Sequence, residues 1–92
     1  MKVRWSPDAA DDLEQVVRQI EKGSPAAARN VASTIFRGIA SLRQSPRRGR
    51  TGGVDGTREL VFAPLPYIAV YRLTGNTIEI VRIFHGTQDW QK

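Results

Sequence analysis

The stretch that decides the fold is residues 56–90, GTRELVFAPLPYIAVYRLTGNTIEIVRIFHGTQDW. Three apolar runs are separated by two short turn signals, Pro64-Leu65-Pro66 and Thr74-Gly75-Asn76. Runs of this length, rich in β-branched and aromatic residues, read as strands, and the breaks between them suit tight turns. An antiparallel meander follows, with strands at 57–63, 67–73 and 77–84. In the third of the four strands expected for the whole chain, Ala69 and Tyr71 should face one way and Ile68 and Val70 the other, because side chains alternate along a strand.

The upstream half reads as helical cover for this sheet. Lys2–Trp5 alternates polar and apolar residues and is too short to stand alone, so it should join the sheet as an edge strand. Ser6-Pro7-Asp8 is a helix start: a capping hydroxyl, a proline suited to the first helical position, and an acid at the positive end of the dipole. Leu13, Val16, Val17 and Ile20 then form one apolar stripe, and Gly23 closes the helix. Ser24-Pro25 repeats the start signal, and a second helix should run from 25 to about 44, with Ala28, Val31, Ala32, Ile35, Ile39 and Leu42 on one face. So short a connection makes the two helices an antiparallel hairpin. The order is β-α-α-β-β-β, an α+β fold expected to span residues 1–92 as a single domain.

Composition narrows the functional classes. A chain of 92 residues buries only roughly 60–65% of its unfolded surface, which leaves a thin margin of stability. There is no cysteine and one histidine, so thiolate metal sites and disulfides are excluded and no metal or cofactor is expected. The lack of cysteine fits a reducing, cytoplasmic setting. No segment approaches the ~20 apolar residues of a membrane span.

The formal net charge is +5, and residues 37–58 carry six arginines (Arg37, Arg43, Arg47, Arg48, Arg50, Arg58) against one acid, Asp55. Clustered guanidinium groups fit phosphate or an acidic partner, whereas a scattered excess would only solvate the surface. Residues 47–56, RRGRTGGVDG, read as a loop. It is either an ordinary mobile connection or a phosphate-contacting loop working through backbone amides. The acids of the first helix, Asp8, Asp11, Asp12 and Glu14, read as partners of the helix dipole on a solvated face. Trp90 reads as a packing anchor, with base stacking as the alternative.

Strict alternation puts Arg58 and Arg82 on faces with apolar neighbours, so each guanidinium needs a partner: a structural carboxylate such as Glu59, Glu79 or one at the chain end, or a bound phosphate or oxyanion. His85 is the side chain whose unperturbed pKa lies near neutrality. It is either a general acid or base or a strand-end packing residue. Alternation sets it on the opposite face from Arg82, unless the strand bulges between them.

These residues resemble the RelE/ParE superfamily of toxins. The resemblance rests on Ser6-Pro7-x-Ala9-x-x-Asp12-Leu13, Pro46…Gly49-Arg50, Gly56-Thr57-Arg58-Glu59-Leu60, Tyr67-Ile68…Val70-Tyr71-Arg72, and Ile80-Val81-Arg82-Ile83-Phe84-His85-x-x-Gln88-Asp89-Trp90. It covers nearly the whole chain and implies a toxin of a type II toxin–antitoxin system, partnered by an acidic antitoxin segment that folds on binding. A RelE-like member would cut mRNA on the ribosome. Arg58 and Arg82 would then stabilise phosphate charge, His85 would move protons, and Arg43, Arg47, Arg48 and Arg50 would hold nucleic acid. A ParE-like member would poison DNA gyrase without nuclease residues. The arginine loop and His85 favour the ribosome-dependent nuclease as first expectation and leave the gyrase poison as the alternative.

Overall fold

Two serines start both helices. In the computed structural model, which describes residues 1–87, the Ser6 hydroxyl accepts from the Ala9 amide at 3.0 Å. The Ser24 hydroxyl does the same for Ala27 at 3.1 Å. Each satisfies one of the orphan N–H groups of a first helical turn. Helix α1 spans Pro7–Glu21 and α2 spans Pro25–Ser41. The second helix stops three residues before the expected end. Leu42, Arg43 and Gln44 donate to carbonyls three residues back, so the helix tightens as it leaves its axis. The Ser6 hydroxyl also donates to the Val81 carbonyl at 2.8 Å, which ties the start of α1 to the sheet.

The strands are β1 (Lys2–Trp5), β2 (Arg50–Thr51), β3 (Arg58–Val61), β4 (Tyr67–Thr74) and β5 (Thr77–His85). They form one sheet in the order β1-β5-β4-β3-β2. β1 runs parallel to β5, and the other neighbours are antiparallel. The expected meander and edge strand are present. The arginine loop differs from expectation, since part of it is a fifth strand that pairs Arg50 with Glu59 and Thr51 with Arg58. Trp90 and its neighbours 88–92 lie outside the described residues.

The helical hairpin packs on one face of the sheet. Ala9, Leu13, Val31, Ile35, Ile39 and Leu42 meet Leu60, Phe62, Ala69, Tyr71, Ile78, Ile80 and Ile83 in one buried cluster. Ile68, Val70 and Phe84 form a smaller cluster from the alternate positions. β4 therefore divides its side chains as its alternation requires.

Tyr71 sits at the centre of this core and is fully buried. Its hydroxyl donates to the Pro46 carbonyl at 2.7 Å and accepts from the Gly49 amide at 2.9 Å. The segment leaving α2 is thereby fixed to the middle of the sheet. Gly49 has to be glycine for steric reasons: a Cβ there would lie 2.7 Å from the Tyr71 hydroxyl and 2.9 Å from the Glu59 carbonyl oxygen. Tyr71→Phe keeps the ring and orphans a buried N–H. It should lower stability by roughly 1–3 kcal/mol, and hydrogen exchange should quicken at Gly49 more than in α1. Denaturant unfolding with exchange measured amide by amide checks both.

Candidate functional site

The site residues expected from the sequence are distributed by one irregularity in β5. Tyr71 pairs with Ile80, but Val70 pairs with Arg82, so Val81 is an extra residue in the ladder. Such a bulge reverses the alternation beyond it. Ile78 and Ile80 face the helices before it, and Ile83 does so after it. Arg82 is thereby removed from the face of Ile80, to which strict alternation had assigned it. It stands in register with Val70 of the far-face cluster.

From there Arg82 reaches over the strand edge to α1. Its Nε donates to Asp12 Oδ2 at 2.8 Å and its Nη2 to Asp12 Oδ1 at 3.0 Å. The same Asp12 Oδ2 accepts from the Ile83 amide at 2.9 Å. β1 pairs with β5 only as far as Ile80, so beyond that point the carboxylate does what a neighbouring strand would do for the Ile83 N–H. The two-pronged geometry is the strong form of an arginine–carboxylate contact. It raises the Arg82 pKa above its ordinary value, chiefly through the hydrogen bonds to Asp12. Asp12 had been read as a solvated partner of the helix dipole. The signal for its real role was its place beside the apolar stripe of α1, together with a lone arginine late in an apolar strand.

Arg58 keeps the face expected for it, in register with Tyr71 and in step with Leu60. Its Nη1 donates to the Gly49 carbonyl at 2.8 Å and to the Arg47 carbonyl at 3.2 Å. Its partner is thus the backbone of the loop that Tyr71 also holds, and neither Glu59 nor Glu79. Glu59 accepts from Arg50. Glu79 lies between Arg4 and Arg72.

His85 ends β5 in register with Tyr67. The two rings meet edge to face with centroids 5.8 Å apart. The His85 Nδ1 lies 2.8 Å from the Thr87 hydroxyl. Beside them a groove of about 650 Å³ runs against α1 and is also lined by Asp12, Gln15 and Lys22. Arg58 and His85 are separated by the register between Tyr71 and Tyr67 along β4. That is about 14 Å of strand at ~3.4 Å per residue, plus two strand spacings of ~4.8 Å across the sheet. Arg58 and His85 therefore share no phosphate-sized space, and the Arg82 guanidinium is turned to Asp12.

The four arginines expected to hold nucleic acid also divide. Arg48 donates to the Ser41 hydroxyl and Arg50 pairs with Glu59. Arg43 and Arg47 are exposed, and neither side chain has a partner among the described residues. Among those residues no three His, Asp or Glu side chains are grouped to hold a metal ion. No helix among them is long and apolar enough to cross a membrane.

Residues 3–90 match the model of a family described as the ParE toxin of the type II toxin–antitoxin system parDE. The chain belongs to the ParE toxin family. Among relatives of this ParE-family chain, Y4kP of Sinorhizobium fredii, named as a candidate toxin, is 37% identical over 89 residues, covering 97% of this chain and 92% of its own. Toxin RelE1 of Caulobacter vibrioides is 30% identical over 82 residues, covering 87% of each chain. A solved chain from the chromosomal ParDE system of P. aeruginosa superposes with a TM-score of 0.83 at 28% identity, covering 92% of this chain and 95% of that one. The ParE fold thus carries the two helices and the sheet described above.

Glu79 gives this ParE-family sheet an acid-sensitive joint. Hydrogen bonds from Arg4 and then Arg72 hold its carboxyl below the ordinary value of 4.5. A carboxyl depressed in the folded state contributes stability above its unfolded pKa. That contribution is lost as pH falls through the folded value. Stability should therefore drop on acidification below about pH 4.5, and Glu79→Gln should flatten that part of the curve. Urea unfolding across a pH series compares the two slopes.

Proposed function

We propose that this chain is the toxic half of a toxin–antitoxin pair and that it arrests growth by binding and poisoning DNA gyrase rather than by cutting mRNA. The observation that carries this reading is the commitment of Arg82 to Asp12 and of Arg58 to the Arg47 and Gly49 carbonyls. Cleavage by a ribose hydroxyl needs donors preorganised around the phosphate as charge develops, with a proton-transfer group in reach. Here the candidate donors lie on different sides of the sheet, and His85 stands four β4 residues along from Arg58 and two strands across. The match to the ParE family over residues 3–90 supports the same choice. The relative named RelE1 is the point in favour of the ribosome-dependent nuclease.

The activity needs no cofactor in this reading. The partner that silences it is a cognate antitoxin with an acidic segment, suited to a chain of net charge +5. Full-length protein added to purified gyrase with relaxed plasmid should block supercoiling. In a translation extract it should leave a defined mRNA uncut, with and without ribosomes. His85→Gln should inhibit gyrase as well as the parent does, whereas loss of a general acid or base would slow cleavage by about 10²–10⁴-fold. Cleavage only with ribosomes present, abolished by His85→Gln, would overturn the proposal in favour of the nuclease.

A further inference from the structure

The helical hairpin carries a feature that neither toxin mechanism uses. Between α1 and α2 opens an apolar cleft of about 570 Å³, walled by Trp5, Ala10, Leu13, Val17, Ala32 and Phe36. Phe36 is 53% exposed, and its ring meets that of Trp5 with centroids 5.5 Å apart. The face therefore offers a projecting apolar ring and a hollow beside it. Charge is divided along the same face. α1 holds Asp8, Asp11, Asp12, Glu14 and Glu21 against Arg18, whereas α2 holds Arg29 and Arg37 and no acid. Glu14 is already paired with Arg18. Glu21 lines the cleft, and Arg29 lies seven residues before Phe36, two turns along the same stripe of α2. Neither the Glu21 nor the Arg29 side chain has a partner among the described residues.

We infer that this face pairs with a second copy of the chain, the two hairpins meeting across a twofold axis that runs along the cleft. Such an interface is isologous, so one face has to supply both halves of every contact. An axis along the cleft carries α1 of one copy over α2 of the other, at the same distance from the turn at Gly23-Ser24. Counted from that turn at ~1.5 Å per residue, Glu21 and Arg29 lie within about 5 Å of each other along the hairpin. The axis thus brings Glu21 of each copy to Arg29 of the other. By the same count Phe36 of one copy stands over Ala10 and Leu13 of the other, at the open cleft. The facing helices run antiparallel, which suits their dipoles. A twofold axis across the helices would instead lay α1 on α1 and α2 on α2, with like charges opposed. Charge therefore selects the axis. A different helix would fill the cleft as well only if it brought the division of acid and base that this hairpin already has.

The contact does not depend on the cellular target, so its test stands apart from the supercoiling assay. Sedimentation equilibrium of the full-length chain alone should show the mass rising with concentration from 10.3 kDa toward twice that value. Phe36→Glu, at a position outside the core, should hold the chain at the monomer mass. Glu21→Arg and Arg29→Glu should each weaken the dimer by roughly three- to tenfold, because both symmetry-related pairs become like-charged. Mixing those two variants should restore it, since each mixed pair again sets arginine against glutamate, a rescue that no contact within one chain produces. The mixture gives the same answer should Phe36→Glu not fold. Monomer mass at every concentration would overturn the inference, because the face then serves a different occupant. So would a dimer that Phe36→Glu leaves intact, or a mixture that associates no better than either variant alone.

Discussion

The contact on which the rest of this structure depends is the one between Asp12 and the bulged end of β5. One carboxylate takes both prongs of Arg82 and the amide of Ile83. β1 is four residues long and leaves the second half of β5 without a strand on that side. An open edge of this kind invites pairing with another chain. The first helix closes it instead, using a side chain in place of a backbone. The bulge at Val81 makes this possible, because it returns Ile83 to the core while turning Arg82 out toward α1. Helix docking, sheet protection and the turning of Arg82 to Asp12 are thus one arrangement.

The same logic runs through the other charged residues. Arg58 and Tyr71 converge on residues 46–49 and hold the exit of α2 against the sheet. Arg50 pins β2 to β3 through Glu59, and Arg4 and Arg72 flank Glu79. Exposed pairs of this sort contribute little singly, typically about 0–1 kcal/mol. Their importance here is that they use up guanidinium groups. Among the described residues the positive charge left over on arginine is at Arg29, Arg37, Arg43 and Arg47, on and after α2. The acids of α1 lie in the other helix of the hairpin. A basic composition is therefore no guide to where these side chains are engaged: of the arginines that the sequence singled out, Arg48, Arg50, Arg58 and Arg82 are held by partners within the fold.

Much of this was legible in the sequence, for physical reasons that can be named. Ser6-Pro7 and Ser24-Pro25 marked both helix starts because capping is local. The alternation of Ile68, Ala69, Val70 and Tyr71 placed the two faces of β4 because pleating is local too. The bulge was not legible: Ile80-Val81-Arg82-Ile83 reads as an ordinary run, and only the pairing of Val70 with Arg82 shows the extra residue. The partner of Arg82 was hidden for a related reason, since Asp12 lies 70 positions away and its choice over Glu59 or Glu79 is set by how α1 crosses β5. β2 was missed because Arg50 and Thr51 are too short a run to show any alternation and become a strand only through pairing with Arg58 and Glu59. The family resemblance supplied the correct architecture and a site that the register then dispersed.

The central claim is that Arg82 holds the fold and performs no chemistry, and it is tested most directly by measuring stability and inhibition on the same sample of Arg82→Met. Urea unfolding should show a loss of roughly 1–2 kcal/mol, the lower range for a charged hydrogen-bonded pair that is partly exposed. Inhibition of gyrase, normalised to the folded fraction, should match the parent protein. Unchanged stability with lost inhibition would contradict the account and make Arg82 part of the surface that meets the target.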